Sequence, residues 1–282
     1  MGIILDGKAL AAKIREEIKA GVEKLASRGV TPKLAAVLVG DDPGSVVYAR
    51  AKEKVCAGVG IAYELHHLPG DTREGDAVEL LAKLNADPAV HGILVEFPLP
   101  KQINKWRILD AVSPLKDVDG MTAVNRGRLL AGEEGLFPAT PQACIEIMER
   151  NGIEIAGKHA VLVGRGETVG RPLIPMLLRK NATITVCHTK TVDVARHTRE
   201  ADIVVAAAGK AGLITGEMVR PGAVVVDAGI NQTEKGICGD VDFESAKEVA
   251  GFITPVPGGV GSMTTVLLMK NVLKAVSLQG LG

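Results

Sequence analysis

The residues Val161-Leu162-Val163-Gly164-Arg165-Gly166-Glu167-Thr168-Val169-Gly170 join a short apolar run to a segment with helical periodicity. The pattern predicts a buried strand, a tight glycine turn and the start of a helix. Glycines in such a turn let the backbone approach a pyrophosphate, and the helix N-terminus presents free N–H groups and a positive dipole end. We interpret Gly164, Arg165, Gly166, Val169 and Gly170 as a dinucleotide site, although a plain tight turn would have a similar sequence.

The end of the next predicted strand indicates which dinucleotide is bound. Sites for NAD usually place an Asp or Glu there, about 20 residues after the glycine turn, to bind the ribose 2′-hydroxyl. Here the sequence is Cys187-His188-Thr189-Lys190-Thr191, which contains no acid. The missing carboxylate, together with Arg165 in the turn, favours a 2′-phosphate and therefore NADP over NAD, although Lys190 can equally be an ordinary solvated charge.

Strand and helix patterns alternate on both sides of a central segment, which indicates parallel βαβ units and an α/β fold. The first block has predicted strands at 34–39, 61–67 and 92–95 and helices at 8–27, 45–57 and 72–85. The second has strands at 160–163, 183–187, 203–206 and 223–226 and helices at 169–179 and 263–276. Residues 96–140 between the blocks are rich in Pro, Gly and charge and are predicted to be loops and a connector.

Composition excludes several classes of protein. The chain has 282 residues, enough for two domains, and its 46% apolar and 23% charged residues are typical of globular proteins. Lys plus Arg equals Asp plus Glu at 33 each, so no overall field attracts nucleic acid or an anionic membrane. The four cysteines form no Cys-x-x-Cys pair, so we expect no zinc site and no disulfide framework. Neither a signal peptide nor a membrane span is visible, and we expect a cytoplasmic protein.

Four residues in the first block could carry chemistry. Tyr48 and Lys52 are four apart on a predicted helix and share one face, which makes Lys52 a candidate acid or base. Glu96 follows the strand 92–95 at the edge where parallel sheets bind ligands. Asp119 could accept paired hydrogen bonds from an amino-pyrimidinone edge. Each of these residues could also have a purely structural role, as a surface residue or a turn cap.

Two loops in the second block are further candidates. Pro257, Gly258 and Gly259 belong to a Gly-rich loop before the last predicted helix, and a simple linker would also fit this pattern. Ile230 follows the strand that ends near Asp227, at a position where a nicotinamide ring could lie.

Taken in order, these motifs resemble the bifunctional methylenetetrahydrofolate dehydrogenase/cyclohydrolase family over nearly the whole chain. Each motif is modest by itself, and their joint order is specific. They are Tyr48-x-x-x-Lys52, Gly92-Ile-Leu-Val-Glu-x-Pro-Leu-Pro100, Lys116-Asp-Val-Asp-Gly120, Gly164-Arg165 with Val169-Gly170, Cys187-His188, Asp227 with Gly229-Ile230-Asn231, and Pro255-Val-Pro-Gly-Gly-Val-Gly261.

The resemblance implies a folate-binding domain at 1–140, completed by a returning helix at 263–282, and a Rossmann-type NADP domain at 141–262. It also implies a cleft between the domains and a homodimer. The implied activities are oxidation of 5,10-methylenetetrahydrofolate to the methenyl form and hydrolysis to 10-formyltetrahydrofolate.

The resemblance also assigns roles to residues. By this likeness Tyr48 stacks on the folate, Lys52 handles protons and Asp119 binds the pterin. Pro257, Gly258 and Gly259 complete the substrate site, and the NADP site is formed by Gly164, Arg165, Gly166, Val169, Gly170, His188, Thr189 and Ile230.

Four positions depart from the family pattern: Glu96 replaces Gln, Gly166 and Thr189 each replace Ser, and Ser262 replaces Pro. Glu96 matters most, because a carboxylate there favours the ammonium form of Lys52, which is a poor general base. Hydride transfer mainly requires two rings at the right distance. We therefore expect the dehydrogenase step to survive and the hydrolysis to be weak or shifted in pH.

Three other functions remain open from the sequence alone. The chain could be a monofunctional methylenetetrahydrofolate dehydrogenase. It could be another two-domain dehydrogenase, acting on an amino acid or a shikimate-like acid, or a non-enzymatic NADP-binding sensor. A nucleic-acid binder is disfavoured by the zero net charge and by aromatic residues at only 2%.

Overall fold

The computed structural model describes residues 1–234 and 236–281 and confirms the predicted α/β class. The chain divides into two compact units. The three-stranded unit comprises Ile14–Pro138 and the described residues from Leu268 onward. The six-stranded unit comprises Met1–Lys13 and the described part of Ala139–Leu267.

The three-stranded unit contains a parallel sheet in the order β3-β2-β4. Its strands are β2 (Lys33–Val39), β3 (Ala62–Leu68) and β4 (Gly92–Val95). The central strand β2 is buried from Leu34 to Val39, as expected for an apolar strand covered on both faces. Its helices are α2 (Pro43–Val59), α3 (Glu74–Ala86), α4 (Lys105–Ala111) and α5 (Ala123–Ala131), with most of α1 (Gly7–Ala26) and the end of α10 (Val260–Leu278).

The six-stranded unit contains a parallel sheet in the order β1-β11-β8-β7-β5-β6. Its strands are β1 (Ile3–Ile4), β5 (His159–Val163), β6 (Thr183–Cys187), β7 (Ile203–Ala206), β8 (Val224–Asp227) and β11 (Phe252–Ile253). An antiparallel pair, β9 (Asn231–Thr233) and β10 (Gly236–Cys238), follows β8. The helices are α6 (Ala139–Arg150), α7 (Gly170–Arg179), α8 (Val194–Arg199) and α9 (Phe243–Val249), with a 3₁₀ turn at Gly216–Met218.

The prediction that residues 96–140 are loops and a connector was wrong, since α4, α5 and the start of α6 lie there. Both α4 and α5 begin at a polar cap: the side chain of Asn104 accepts a hydrogen bond from Trp106 N, and that of Thr122 from Asn125 N. The two helices have only 7 and 9 residues, too few for apolar periodicity to stand out among the prolines and glycines.

The first residues of the chain also differ from the predicted division, which placed them with 1–140. Strand β1 pairs in parallel with β11, with Ile3 opposite Phe252 and Ile4 opposite Ile253. Residues 1–13 therefore belong to the six-stranded unit. A two-residue strand has no periodicity to read, so only the pairing places it.

The last part of α10 belongs to the three-stranded unit. Asn271 lies on this part and is buried. Its side-chain amide donates to the backbone oxygens of Val118 and Phe137, each at 2.7 Å. These bonds connect the end of the chain to segments more than 130 residues earlier.

Replacing Asn271 should therefore destabilise the three-stranded unit. We expect Asn271→Ala to lower the free energy of unfolding by about 2 kcal/mol, because two buried carbonyl groups lose a donor. The exposed Ser277 lies on the same helix, and Ser277→Ala should have little effect. Urea unfolding followed by circular dichroism measures both, and equal stability of the two variants would contradict the argument.

Candidate active site

The start of α2 and the segment after β4 are joined by hydrogen bonds that align Lys52 with Glu96. Asp42 caps α2, its carboxylate accepting the backbone N–H of Ser45 at 2.9 Å. The hydroxyl of Ser45 lies 2.9 Å from the same carboxylate and 3.0 Å from the backbone oxygen of Phe97. The backbone N–H of Glu96 donates to Val37 O in the central strand. These contacts set the distance between helix α2 and the end of β4.

Lys52 and Glu96 form a close ion pair at this edge of the sheet. The Nζ atom of Lys52 lies 2.8 Å from each carboxylate oxygen of Glu96. The two side chains are only 16% and 8% exposed. The same Nζ lies 5.8 Å from the ring centroid of Tyr48, a cation–π distance, and Tyr48 is 60% exposed. An ammonium group in this arrangement is both neutralised and partly shielded from water.

The loop that carries Asp119 is anchored by two buried charged residues. The ammonium group of Lys116 donates to three backbone oxygens at the end of α3, those of Leu84, Asn85 and Asp87, at 2.7–3.1 Å. This contact supplies the donors that a helix C-terminus lacks. The carboxylate of Asp117 accepts hydrogen bonds from three donors: Met121 N, Thr122 N and Asn125 Nδ2.

Gly120 follows Asp119 with φ +64°, and a Cβ there would lie 2.6 Å from the Phe137 backbone, so glycine is required.

Burial and, to a smaller extent, the nearby Asp117 carboxylate raise the pKa of Asp119 to about 7. The cations of Lys52 and Arg126 act in the opposite direction, which places Asp119 within electrostatic range of the Lys52–Glu96 pair. The four predicted residues of this unit are thus brought together, with Asp119 able to change protonation near neutral pH.

In the six-stranded unit the glycine turn follows β5 as predicted and lines a cavity of about 230 Å³. A Cβ on Gly164 would lie 2.0 Å from Ala207 O, and one on Gly170 would lie 2.5 Å from Gly164 O. Both positions therefore require glycine. The cavity is lined by Gly166, Thr168, Val169, Ala207, Ala208, Gly209, Ala228, Gly229 and Ile230. Helix α7 begins at Gly170, so the positive end of its dipole lies beside the turn.

The ends of β5 and β6 place Arg165 and Thr189 at matching positions. Val163 pairs with Cys187, and Gly164 N donates to Cys187 O at 2.9 Å. Arg165 and Thr189 are each two residues beyond this pair, and both are exposed. His188 stabilises the turn that follows β6. Its Nδ1 accepts a hydrogen bond from Lys190 N, and its backbone N–H donates to Thr191 Oγ1.

The predicted loop residues 257–259 lie in the same unit, just before α10. Gly258 O accepts a hydrogen bond from Lys8 N at 3.2 Å. A Cβ on Gly7 would lie 2.0 Å from Gly259 O, so the start of α1 packs directly on this loop. Gly261 approaches the side chain of Ile230, since a Cβ there would lie 3.6 Å from Ile230 Cδ1.

Family models match both parts of the chain. The catalytic-domain model of tetrahydrofolate dehydrogenase/cyclohydrolase covers residues 5–119, and the NAD(P)-binding-domain model of the same family covers residues 138–280. The chain belongs to the tetrahydrofolate dehydrogenase/cyclohydrolase family. This membership makes it an enzyme of that class. It decides against a non-enzymatic sensor and against a dehydrogenase of an amino acid or a shikimate-like acid.

Individual relatives of the family match over the full length. The bifunctional protein FolD of Pelotomaculum thermopropionicum is 63% identical over 281 residues, with 99% of each chain covered. The solved FolD of Campylobacter jejuni is 44% identical with a TM-score of 0.97, covering 99% of this chain and 100% of that one. The Trypanosoma brucei FolD, solved with NADP cofactor and an inhibitor, is 36% identical with a TM-score of 0.92, covering 99% and 98%.

Several residues that shape the site gave no signal in the sequence. Asn125 and Asp240 are fully buried polar residues that bind loop backbone, and neither belongs to a recognisable pattern. Only their depth in the structure identifies them. Among residues 1–234 and 236–281, no group of His, Cys, Asp and Glu could bind a metal ion, and no helix is long and apolar enough to cross a membrane.

The raised pKa of Asp119 predicts a pH-dependent cost in stability. Between the ordinary value of 3.8 and about 7, the folded protein retains a proton that the unfolded chain releases. Stability is therefore lost as pH rises through this window. We expect Asp119→Asn to raise the melting temperature by about 2–4 °C at pH 8 and by less at pH 5.

The exposed Asp110 offers a matched control, because Asp110→Asn makes the same chemical change on the surface. Thermal unfolding of both variants across pH 5–8 checks the prediction. A difference between wild type and Asp119→Asn that does not grow with pH would contradict it.

Proposed function

We propose that the chain oxidises 5,10-methylenetetrahydrofolate to 5,10-methenyltetrahydrofolate with NADP⁺, and that hydrolysis to 10-formyltetrahydrofolate is slow at neutral pH. The reaction type follows from family membership. The second part of the proposal, that hydrolysis is slow, rests on the ion pair between Lys52 and Glu96.

The choice of NADP rests on the ends of β5 and β6. Arg165 and Thr189 occupy matching exposed positions beside the glycine turn, and neither strand end carries a carboxylate that would bind a 2′-hydroxyl. A guanidinium and a hydroxyl suit a 2′-phosphate. The T. brucei relative, solved with NADP, supports the same choice. When bound, the nicotinamide accepts a hydride.

We assign substrate binding to Tyr48, Lys52 and Asp119 of the three-stranded unit. Asp119 binds the amino-pyrimidinone edge of the pterin, and the exposed ring of Tyr48 stacks on the substrate. The assignment of Pro257, Gly258 and Gly259 to the substrate stays a prediction. The dinucleotide site is assigned to Arg165 and Thr189 together with Gly164, Gly166, Val169, Gly170, His188 and Ile230.

Lys52 and Glu96 decide how well the second reaction proceeds. Hydrolysis adds water to the methenyl carbon, and a base must remove a proton from that water. We assign this base to Lys52, whose Nζ atom is already bound by both carboxylate oxygens of Glu96 at 2.8 Å and is therefore less available to the water. Hydride transfer requires no proton removal by Lys52, so the pair leaves the oxidation intact.

The proposal includes a homodimer in the cytoplasm. Strand β3 is at the edge of its sheet and exposes Leu65, a surface that a second copy could extend. The four free cysteines suit a reducing compartment. Analytical ultracentrifugation tests the dimer, and a monomer at micromolar concentration would contradict it.

Cofactor preference tests the first part of the proposal. With 5,10-methylenetetrahydrofolate, NADP⁺ should support reduction with kcat/KM at least about tenfold above NAD⁺, measured by absorbance of the reduced cofactor. Arg165→Ser should remove most of this preference by weakening NADP⁺ alone. Lys190→Ser, a change at another exposed cation nearby, should alter it less. Equal use of both cofactors by the wild type would contradict the assignment.

The Glu96→Gln variant tests the second part. We expect it to accelerate methenyltetrahydrofolate hydrolysis at pH 7 by about tenfold, because the amide still accepts a hydrogen bond from Lys52 but forms no ion pair with it. Hydride transfer should change by less than about twofold. The exposed Glu53 adjoins Lys52 in sequence, so Glu53→Gln is the matched control. Hydrolysis is followed by loss of methenyl absorbance from pH 6 to 9, and superimposable profiles for wild type and Glu96→Gln would refute the role of Glu96.

A further inference from the structure

Two buried carboxylates lie behind the dinucleotide cavity and outside the predicted site residues. Asp240 is 0% exposed and Asp227 is 3% exposed. They lie on different segments of the chain: Asp227 is the last residue of β8, and Asp240 lies two residues after β10. Buried carboxylates are costly unless hydrogen bonds replace the lost water, so their donors reveal what they stabilise.

The donors to Asp240 come mainly from one loop. Three consecutive backbone amides of the loop after β7 point at its carboxylate: Ala208 N at 2.5 Å, Gly209 N at 2.9 Å and Lys210 N at 2.9 Å. Consecutive amides that converge in this way form an anion-binding concavity, here filled by a side chain. The side-chain amide of Asn231 donates to the same carboxylate at 2.9 Å.

Asp227 extends this arrangement to the loop after β8. Its carboxylate accepts the backbone N–H groups of Gly229, Asp240 and Val241 at 2.9–3.0 Å. The backbone N–H of Asp240 is thus bonded to Asp227, while the side chain of Asp240 is bonded to the loop after β7. The two carboxylates connect three segments through backbone amides.

The connected segments are the walls of the cavity. One wall is Ala207, Ala208 and Gly209, and the other is Ala228, Gly229 and Ile230. Asp240 contacts the first wall directly and reaches the second through Asn231, the neighbour of Ile230. Asp240 is not one of the cavity-lining residues.

The two carboxylates pack so closely on Gly229 and Gly239 that neither position has room for a side chain. A Cβ on Gly229 would lie 2.3 Å from Asp240 Cγ, and one on Gly239 would lie 1.9 Å from Asp227 Oδ2. Neither residue has a positive φ, so close approach, and not backbone conformation, is the reason for glycine here.

We propose that Asp240 is a positioning residue that sets the separation of the two cavity walls and thereby the affinity for the dinucleotide. This inference rests on the proposed function, in which the cavity holds NADP. A carboxylate oxygen accepts from Ala208 and Gly209 together, whereas an amide at position 240 presents an NH₂ group to one set of donors. Asp240→Asn therefore repels part of the loop while keeping the side-chain volume.

The test separates a positioning role from a purely structural one. The dissociation constant for NADPH is measured by its fluorescence, together with KM for NADP⁺, KM for the folate substrate and the melting temperature. We expect Asp240→Asn to weaken NADPH binding and raise KM for NADP⁺ by about tenfold, with the folate KM within about twofold of wild type. Asn231→Ala removes one contact and should weaken NADPH binding by about threefold.

Asp242 provides a matched control, since Asp242→Asn makes the same change two residues away at an exposed position. It should leave NADPH binding unchanged. Unchanged NADPH affinity in Asp240→Asn and Asn231→Ala, with only a lower melting temperature or kcat, would overturn the proposal. If Asp240→Asn does not fold, Asn231→Ala decides by the same criterion. Failure of the wild type to bind NADPH would instead refute the proposed cofactor.

Discussion

Parallel hydrogen bonding between neighbouring strands is the constraint on which both candidate sites depend. It brings the carboxyl ends of all paired strands to one edge of the sheet, whatever their order in the sequence. In the six-stranded unit the pairing continues into the loops: Gly164 N donates to Cys187 O, Ala207 N to Val163 O and Ala228 N to Ala206 O. The cavity is assembled from these loop starts. In the three-stranded unit the same rule places Glu96 at the end of β4, where Lys52 reaches it from α2.

Buried charges also anchor loops in both units. The ammonium of Lys116 is bound by backbone carbonyl groups, and the carboxylate of Asp240 by backbone amides. The three oxygens bound by Lys116 are main-chain groups, and so are the donors to Asp240 from Ala208, Gly209 and Lys210, so each charge anchors a loop. Lys52 and Glu96 instead neutralise each other. Removing one member of such a pair leaves the other charge buried, whereas Glu96→Gln keeps a hydrogen-bond acceptor in place.

The Lys52–Glu96 pair gives the two reactions of the family different physical requirements in this chain. Hydride transfer depends on the distance between the substrate and the nicotinamide ring. Under the proposed mechanism hydrolysis depends in addition on Lys52, so a carboxylate in place of an amide at position 96 acts on the hydrolysis and spares the oxidation. Asp119, whose pKa burial raises to about 7, adds a second group that changes charge near neutrality.

The sequence by itself determined the α/β class, the long strands and helices, and the glycine turn between β5 and α7. These depend on apolar periodicity and on glycine spacing, which are local properties. It also indicated Lys52, Glu96 and Asp119 as one group through resemblance. Only the tertiary structure decided that 1–13 join the six-stranded unit, that α4 and α5 are helices, and that Asp240 connects the cavity walls. Pairing of a two-residue strand, caps on short helices and convergence of amides on a buried carboxylate all depend on contacts between distant segments, and no local pattern encodes them.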